Sequence, residues 1–188
     1  MIIQFCGLSG SGKSTLAKAT AAVLQKQGVA VEVIDGDEYR DSLCKGLGFS
    51  KPDRMENMRR MAFVAYQLSK HGIVAIICAI NPYEEMRELV RQSYPGVITA
   101  HIDCSITTLA VRDTKGLYQK AFLPVNHPSH ISNLTGVNDV FDIPVNPDIY
   151  INTDNTTIHN GVNKILLYIQ QQVTGITQQR FVTLAKTG

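Results

Sequence analysis

The chain has 188 residues, a length that suits one domain of ordinary size. Hydrophobic residues make up 44% and charged residues 18%, a balance typical of a globular protein rather than a disordered one. Eighteen basic and sixteen acidic side chains leave a net charge of +2. A general nucleic-acid binder carries a far more basic surface, so we expect no nucleic-acid partner.

Apolar runs and cysteines indicate in which cellular compartment the protein is expected. The longest apolar run, residues 73–80, is far shorter than the ~20 residues of a membrane helix, so we expect no membrane partner. The chain starts with a strand-like segment and without signal-peptide features. No CxxC pair occurs, and three of the four cysteines lie in or beside apolar runs, which predicts buried thiols in a reducing compartment. We therefore expect a cytoplasmic protein; the cysteines are Cys6, Cys44, Cys78 and Cys104.

Strand-like and helix-like segments alternate along the chain. Three amphipathic stripes with helical spacing separate the strand-like runs: one ends near Gly28, one ends near Gly72, and the last runs through residues 158–169. This alternation predicts an α/β fold with a parallel sheet covered by helices. The run at residues 73–80 has no polar alternation, which indicates an interior strand covered on both faces. The predicted strands are residues 2–6, 29–34, 73–80, 97–102 and 149–151.

A glycine-rich loop follows the first predicted strand. Residues 7–14 match the phosphate-binding pattern G-x-x-x-x-G-K-[ST] between a strand and a helix. Glycines let successive backbone N–H groups surround a phosphate, and the helix adds its positive N-terminal end. We expect Lys13 to reach the β- and γ-phosphates and Ser14 to bind Mg²⁺. The predicted nucleotide-binding residues are Gly7, Leu8, Ser9, Gly10, Ser11, Gly12, Lys13, Ser14 and Thr15.

Two carboxylates follow the second predicted strand. Asp35 and Asp37 stand where ligands bind in a parallel α/β sheet, beyond the carboxyl end of the strand. One can hold metal-bound water while the other accepts the proton of an acceptor hydroxyl. A solvated Asp-Gly turn is the alternative. Because no DxxG switch sequence of the GTPase kind follows a strand, the pattern favours a small-molecule kinase.

An irregular stretch covers residues 115–147. It contains four prolines and no sustained period. A loop of this length inside a domain is usually an active-site lid or a disordered segment, and we expect a lid. His127 and His130 lie three residues apart in it, a pattern more typical of polar loop residues than of metal ligands.

Five motifs in order make the assignment more specific. They are residues 7–15, Asp35-Gly-Asp37 with Arg40, residues 47–50, residues 53–60 and residues 112–118. In this order and spacing the chain resembles the adenylylsulfate (APS) kinase family, which phosphorylates the 3′-hydroxyl of adenosine 5′-phosphosulfate with ATP. The resemblance runs from Met1 to the last predicted helix. It implies a P-loop fold of three layers, α/β/α, over residues 1–173, with residues 174–188 as a tail of unassigned role, and a homodimer.

The resemblance also implies residue roles. Asp37 matches the residue that orients and deprotonates the 3′-hydroxyl, acting with Lys13 and Asp35. Arg112 matches the residue over the ATP base. The remaining matches hold the acceptor: guanidinium and amide groups for its phosphosulfate and ribose, an aromatic ring for its adenine, and the start of the lid. These residues are Arg40, Phe49, Arg54, Asn57, Lys115, Gly116, Leu117 and Leu134. Phe49 as a core residue is the alternative to Phe49 as a stacking ring.

Several departures from the family pattern cluster on the acceptor side. Asn81 stands where the family has serine, Glu84 where it has arginine, and Leu134 where it has phenylalanine. The link over residues 121–134 is several residues longer, and residues 139–144 differ as well. These changes motivate an alternative acceptor, such as a cytidine nucleotide anhydride. Two rival functions stay open beside it: another P-loop small-molecule kinase and a non-catalytic ATP-binding regulator.

Overall fold

The computed structural model describes the backbone of residues 1–186 and the side chains of residues 1–172. Strands and helices alternate, in this order: β1 (Ile2–Cys6), α1 (Lys13–Lys26), β2 (Val31–Asp35), α2 (Gly36–Asp41), α3 (Lys51–Lys70), β3 (Val74–Cys78), α4 (Glu84–Ser93), β4 (Val97–Asp103), α5 (Ile106–Arg112), α6 (Leu117–Ala121), β5 (Ile149–Asn152) and α7 (Ile158–Lys186). The predicted tail, residues 174–188, continues α7 as far as Lys186, and its last two residues lie outside the described residues.

The five strands form one parallel sheet in the order β2-β3-β1-β4-β5. Every residue of β1 and of β3 is buried, as the apolar runs predict for interior strands. The carboxyl ends of β2, β3 and β1 therefore lie side by side at one edge of the sheet. This edge holds Asp35, the phosphate loop and residues 79–81, which follow β3 and are called the β3 exit below.

Helices cover both faces of the sheet, which confirms the predicted three-layer α/β/α fold. On one face α1 and α7 pack on the strands through side chains such as Leu16, Leu24 and Ile165. On the other face α3 and α4 pack through Met58, Met61 and Met86. All four cysteines are buried and unpaired by disulfides. None of the described helices has the length and apolarity needed to cross a membrane.

Two strands start later than their apolar runs predict, for one shared reason. Gly28 and Gly72 end α1 and α3 with positive φ values of 77° and 78°. The N–H of the next residue then reaches back to the last helical turn, Val29 to the Leu24 carbonyl at 3.0 Å and Ile73 to the Leu68 carbonyl at 3.3 Å. This is the Schellman ending of a helix. Val29 and Ile73 therefore belong to helix caps rather than to strands.

Four helices escape recognition by periodicity because they are short. α2, α4, α5 and α6 have 6, 10, 7 and 5 residues. A stripe of helical spacing needs about three turns to be recognised. α6 lies inside the stretch at residues 115–147, which is otherwise built of turns and loops. A third apolar cluster ties this stretch to the domain; it contains Cys104, Leu109, Tyr118, Ala121 and Leu134.

Candidate active site

The phosphate loop connects β1 to α1 and wraps around the Lys13 ammonium. Lys13 Nζ donates to the backbone carbonyls of Gly7 and Leu8 at 2.9 and 2.7 Å, and it lies 3.4 Å from Ser11 Oγ. Burial lowers the pKa of Lys13 to about 8. The loop therefore holds a partly desolvated ammonium group, and a phosphate can replace the two carbonyls as the acceptor of its hydrogen bonds.

Gly7 is required by the close approach of β4. Its φ is +149°, and a Cβ at this position would lie 2.1 Å from the backbone oxygen of Ile102. Its N–H donates to the Ile80 carbonyl at 3.1 Å, which ties the loop to the β3 exit. The loop thus starts at a point fixed by both neighbouring strands.

The carboxylate of Asp35 links β2 to the phosphate loop. Its Oδ2 accepts a hydrogen bond from the Ser14 hydroxyl at 2.7 Å, and its Oδ1 accepts from the Asp37 N–H at 3.0 Å, capping α2. Two hard oxygen donors, a hydroxyl and a carboxylate, therefore meet at the N-terminus of α1. This donor set fits Mg²⁺, which prefers oxygen ligands and retained water.

Asp37 lies in the first turn of α2 and faces residue 115, the start of the predicted lid. Its carboxylate forms an ion pair with Lys115, and both side chains are exposed. Since Lys115 precedes α6, the pair joins the two sides of the cleft. The predicted base and the first residue of the predicted lid are therefore in direct contact.

A second group of side chains lies beyond Asp37. The Phe49 ring is 56% exposed, so the core alternative for this residue is wrong. The guanidinium groups of Arg40 and Arg54 lie 4.6 and 5.5 Å from its centroid. Arg40 donates to the Gly48 carbonyl at 2.9 Å, and Arg54 donates to the Phe49 carbonyl at 2.8 Å. Two guanidinium groups thus lie over one exposed aromatic ring.

Arg54 also connects this group to the lid segment. It is 7% exposed and donates to the Asn133 carbonyl at 3.1 Å and to the Asp139 carboxylate at 3.2 Å. Asn57, one turn further along α3, is buried, and its Oδ1 has no hydrogen-bond partner among residues 1–172. This side of the cavity therefore contains two guanidinium groups and a buried amide oxygen without a hydrogen-bond partner among residues 1–172.

One cavity of about 930 Å³ joins the phosphate loop to this second group. A cavity of this size can hold ligands as large as nucleotides. Of the predicted site residues, it is lined by Ser9, Gly10, Gly12, Lys13, Ser14, Thr15, Asp35, Asp37, Arg40, Phe49, Arg54, Asn57, Arg112, Lys115, Leu117 and Leu134. Four predicted residues are not in the lining: Gly7, Leu8, Ser11 and Gly116. The first three hold Lys13, and Gly116, with φ +63°, precedes α6.

Several lining residues were not predicted from the sequence. Thr153 follows β5 and joins Arg112 to the phosphate loop: Arg112 donates to its carbonyl at 2.8 Å, and its hydroxyl donates to the Ser11 carbonyl at 3.0 Å. A polar residue at a strand end is the signal that could have found it. Other missed residues include Pro82, Thr114, Ile131, Asn133 and Thr135.

The departures on the acceptor side have different surroundings. Glu84 pairs with Arg87 at 2.5 Å, so it neither faces the cavity nor points freely to solvent. Asn81 and Leu134 do line the cavity, and Leu134 packs into the third apolar cluster. His127 and His130 make loop hydrogen bonds to the Ser129 N–H and the Leu123 carbonyl. The changed positions that line the cavity are therefore Asn81, Leu134 and, from the lengthened link, Ile131 and Asn133.

A parallel sheet with a phosphate loop, a carboxylate pair and a facing cationic pocket defines a P-loop kinase. The sequence model of the adenylylsulphate kinase family matches residues 1–152. The chain is 42% identical to an adenylyl-sulfate kinase of Deinococcus deserti over 88% of each chain. It is 39% identical to one of Chloroflexus aurantiacus, covering 91% of this chain and 89% of the relative.

A solved structure agrees with these sequence relatives. The APS kinase of Mycobacterium tuberculosis, in complex with AMPPNP and APS, superposes with a TM-score of 0.83 at 32% identity, over 90% of this chain and 96% of that one. The chain belongs to the adenylylsulfate kinase family.

Proposed function

We propose that this protein transfers the γ-phosphoryl group of ATP to the 3′-hydroxyl of adenosine 5′-phosphosulfate, giving ADP and 3′-phosphoadenosine 5′-phosphosulfate. The observation that carries the proposal is the single cavity in which the phosphate loop faces Asp37 and the Arg40–Phe49–Arg54 group. The Mycobacterium relative, solved with an ATP analogue and APS, supports the same pair of substrates.

The ATP phosphates bind in the loop of residues 7–14. Lys13, now held by the Gly7 and Leu8 carbonyls, donates to the β- and γ-phosphates instead. Ser14 and Asp35 would hold Mg²⁺, the carboxylate through a water molecule. The ion would supply positive charge opposite the phosphate oxygens. Arg112 covers the ATP base beside Thr153.

Asp37 is the general base. Its carboxylate accepts the proton of the 3′-hydroxyl while the oxygen of that hydroxyl attacks the γ-phosphorus in line. The new bond joins the 3′-oxygen to phosphorus, and the bond from phosphorus to the β,γ-bridging oxygen breaks, releasing ADP. Asp37 is paired with Lys115 through Oδ2 alone, so Oδ1 can accept the proton of the hydroxyl.

The acceptor is held by charge and by stacking. Arg40 and Arg54 bind the phosphosulfate, since their guanidinium groups supply positive charge on this side of the cavity. The exposed Phe49 ring stacks on the base. Leu134 and Asn57 lie in the cavity wall beside the acceptor. Lys115, Gly116 and Leu117 begin the lid, residues 115–147, that closes over both nucleotides.

ADP release from ATP and Mg²⁺ tests this function. Adenylylsulfate is compared with a no-acceptor control and a panel of cytidine nucleotides. We expect turnover that depends on adenylylsulfate. Leu134 favours the alternative of a different base. Stacking of a base on an aromatic ring contributes about 1–3 kcal/mol, and an aliphatic side chain at this position does not supply it. ADP release with a cytidine nucleotide and none with adenylylsulfate would establish that alternative and refute our proposal.

We also propose that the protein is a cytoplasmic homodimer. Four buried, unbridged cysteines support a reducing compartment. Exposed apolar side chains border a second cavity of about 730 Å³, and a second copy of the chain would cover them; they include Ile106, Ile143 and Tyr150. A mass from light scattering of about twice 20.7 kDa is the expected result, and a monomer mass at micromolar concentration would refute it.

A further inference from the structure

Thr153 connects two parts of the nucleotide site that come from distant segments of the chain. It follows β5 and lines the cavity. It contacts Arg112, at the end of α5, and Ser11, in the phosphate loop. The proposed function gives these neighbours different tasks, since Arg112 covers the ATP base and the loop binds the phosphates. One residue between them can therefore act on both halves of the bound nucleotide.

The sheet fixes the backbone of Thr153. Its N–H donates to the Asp103 carbonyl of β4 at 2.9 Å. This hydrogen bond continues the pairing of β4 with β5 by one residue beyond Asn152. Thr153 therefore presents its carbonyl and its side chain from a position that the sheet sets.

The guanidinium group of Arg112 is held on Thr153 by two hydrogen bonds. Nη2 donates to the Thr153 backbone carbonyl at 2.8 Å, and Nη1 donates to the Thr153 hydroxyl oxygen at 3.2 Å. Nη1 also lies 3.4 Å from Cys104 Sγ. Arg112 is exposed, so solvent alone would leave its planar group free to turn. Two contacts from two different nitrogens set the plane of that group.

The same hydroxyl has one proton to donate, and the phosphate loop receives it. Thr153 Oγ1 lies 3.0 Å from the Ser11 carbonyl and 3.2 Å from the Asp103 carbonyl. The Asp103 carbonyl already accepts the N–H of Thr153. The contact that depends on the hydroxyl is therefore the shorter one, to Ser11.

A fixed Ser11 carbonyl sets the direction of a donor in the loop. The C=O and N–H of a trans peptide point in opposite directions, so the Gly12 N–H points away from Thr153. N–H groups of such a loop are the ones that surround a bound phosphate. The next carbonyl, that of Gly12, accepts from the Leu16 N–H at 2.9 Å and belongs to α1. The Thr153 hydroxyl thus orients the peptide that joins the loop to its helix.

We propose that Thr153 is a positioning residue for ATP, whose hydroxyl aligns both the guanidinium group over the base and the loop peptide at the phosphates. This inference rests on the proposed function in taking ATP as the phosphoryl donor, and it is independent of the acceptor. Recognition of the base and of the phosphates is coupled through this side chain, so loss of the hydroxyl weakens both.

The test measures nucleotide affinity in variants of this hydroxyl. The Kd of AMPPNP with Mg²⁺ is measured by calorimetry for the unaltered chain, Thr153→Val and Thr153→Ser, beside a thermal melt. Valine keeps the shape without the hydroxyl, and serine keeps the hydroxyl. Each lost hydrogen bond should weaken binding about threefold, so we expect a Kd about tenfold higher in Thr153→Val and within about twofold in Thr153→Ser. Thr107→Val, at an exposed position of α5 outside the cavity lining, is the matched control and should bind normally.

A double-mutant cycle with Arg112→Ala separates the two contacts of the hydroxyl. In that background Thr153→Val can act only through the loop, so its effect on Kd should fall from about tenfold to about threefold. An undiminished effect would show that the hydroxyl does not act through Arg112. No effect at all would show that it does not act on the loop. Either result would overturn the inference.

The remaining outcomes separate the inference from the function on which it rests. A Kd in Thr153→Val equal to that of the unaltered chain would overturn the inference, and so would a Thr153→Ser variant that binds as weakly as Thr153→Val. No acceptor is present in this measurement, so a chain that binds AMPPNP as expected but does not turn over adenylylsulfate would refute the proposed acceptor alone. An unaltered chain that does not bind AMPPNP would overturn both.

Discussion

Replacing Asp37 by asparagine separates its chemical role from its structural one. The Asp37 side chain is 74% exposed, and its ion pair with Lys115 is a surface pair. Such pairs contribute about 0–1 kcal/mol to stability, so Asp37→Asn should unfold at nearly the same temperature. The backbone N–H of residue 37 still donates to Asp35, which leaves α2 capped. The loss of a general base should lower kcat about 10²–10⁴-fold, equivalent to about 3–5 kcal/mol.

The assay is steady-state ADP release at saturating ATP with adenylylsulfate varied, beside a thermal melt. Glu38→Gln is the matched control, because it removes the adjacent carboxylate of the same helix turn, which is exposed and outside the cavity lining. We expect the control to keep near-normal kcat. Asp37→Asn with kcat within threefold of the unaltered chain would show that another group accepts the proton.

Three further changes test the phosphate loop and the acceptor ring. Lys13 must be protonated to bind the phosphates, and burial lowers its pKa to about 8, so ATP affinity should fall as pH rises through about 8. In Lys13→Met, ATP binding should be weak at every pH. The same pH dependence of ATP affinity in both proteins would contradict this reasoning. Phe49→Ala should raise the KM for the acceptor about tenfold while the melting temperature and the KM for ATP stay nearly constant, since the ring is exposed; an unchanged acceptor KM would exclude stacking. Gly7→Ala should lower the melting temperature, because its Cβ would lie 2.1 Å from the Ile102 oxygen. An unchanged melting temperature would show that β4 shifts to accommodate the added Cβ.

The sequence predicted the sheet and the phosphate loop because both depend on local chemistry. Continuous apolar runs marked the buried strands, and the pattern of residues 7–14 demands glycine and lysine at fixed positions. The strand starts at Val29 and Ile73 were wrong because a helix cap and a strand both use an apolar residue after glycine.

Contacts between distant segments could not be predicted in the same way. The ion pair of Asp37 with Lys115 joins residues 78 positions apart, and Arg54 meets Asn133 across 79 positions. The partner of Glu84 was also hidden, because an exposed-looking charge gave no sign that it faces a guanidinium that is 1% exposed. The residue roles inside the cavity stay predictions until the substitutions are measured.

The buried guanidinium of Arg87 sets limits on how the cleft can open. It donates to the Asn81 carbonyl at 2.6 Å and to the Asp142 carbonyl at 2.5 Å, so the C-terminal side of the predicted lid is connected to the segment after β3. On the N-terminal side, the buried Tyr118 hydroxyl donates to the Ser9 carbonyl at 2.8 Å. Opening at either fastening would strand a buried donor, which is costly. The predicted lid is thus held at both ends, and Arg54 adds contacts to Asn133 and Asp139 between them, so any movement is confined to the segments between these contacts rather than spread over the full stretch of irregular chain.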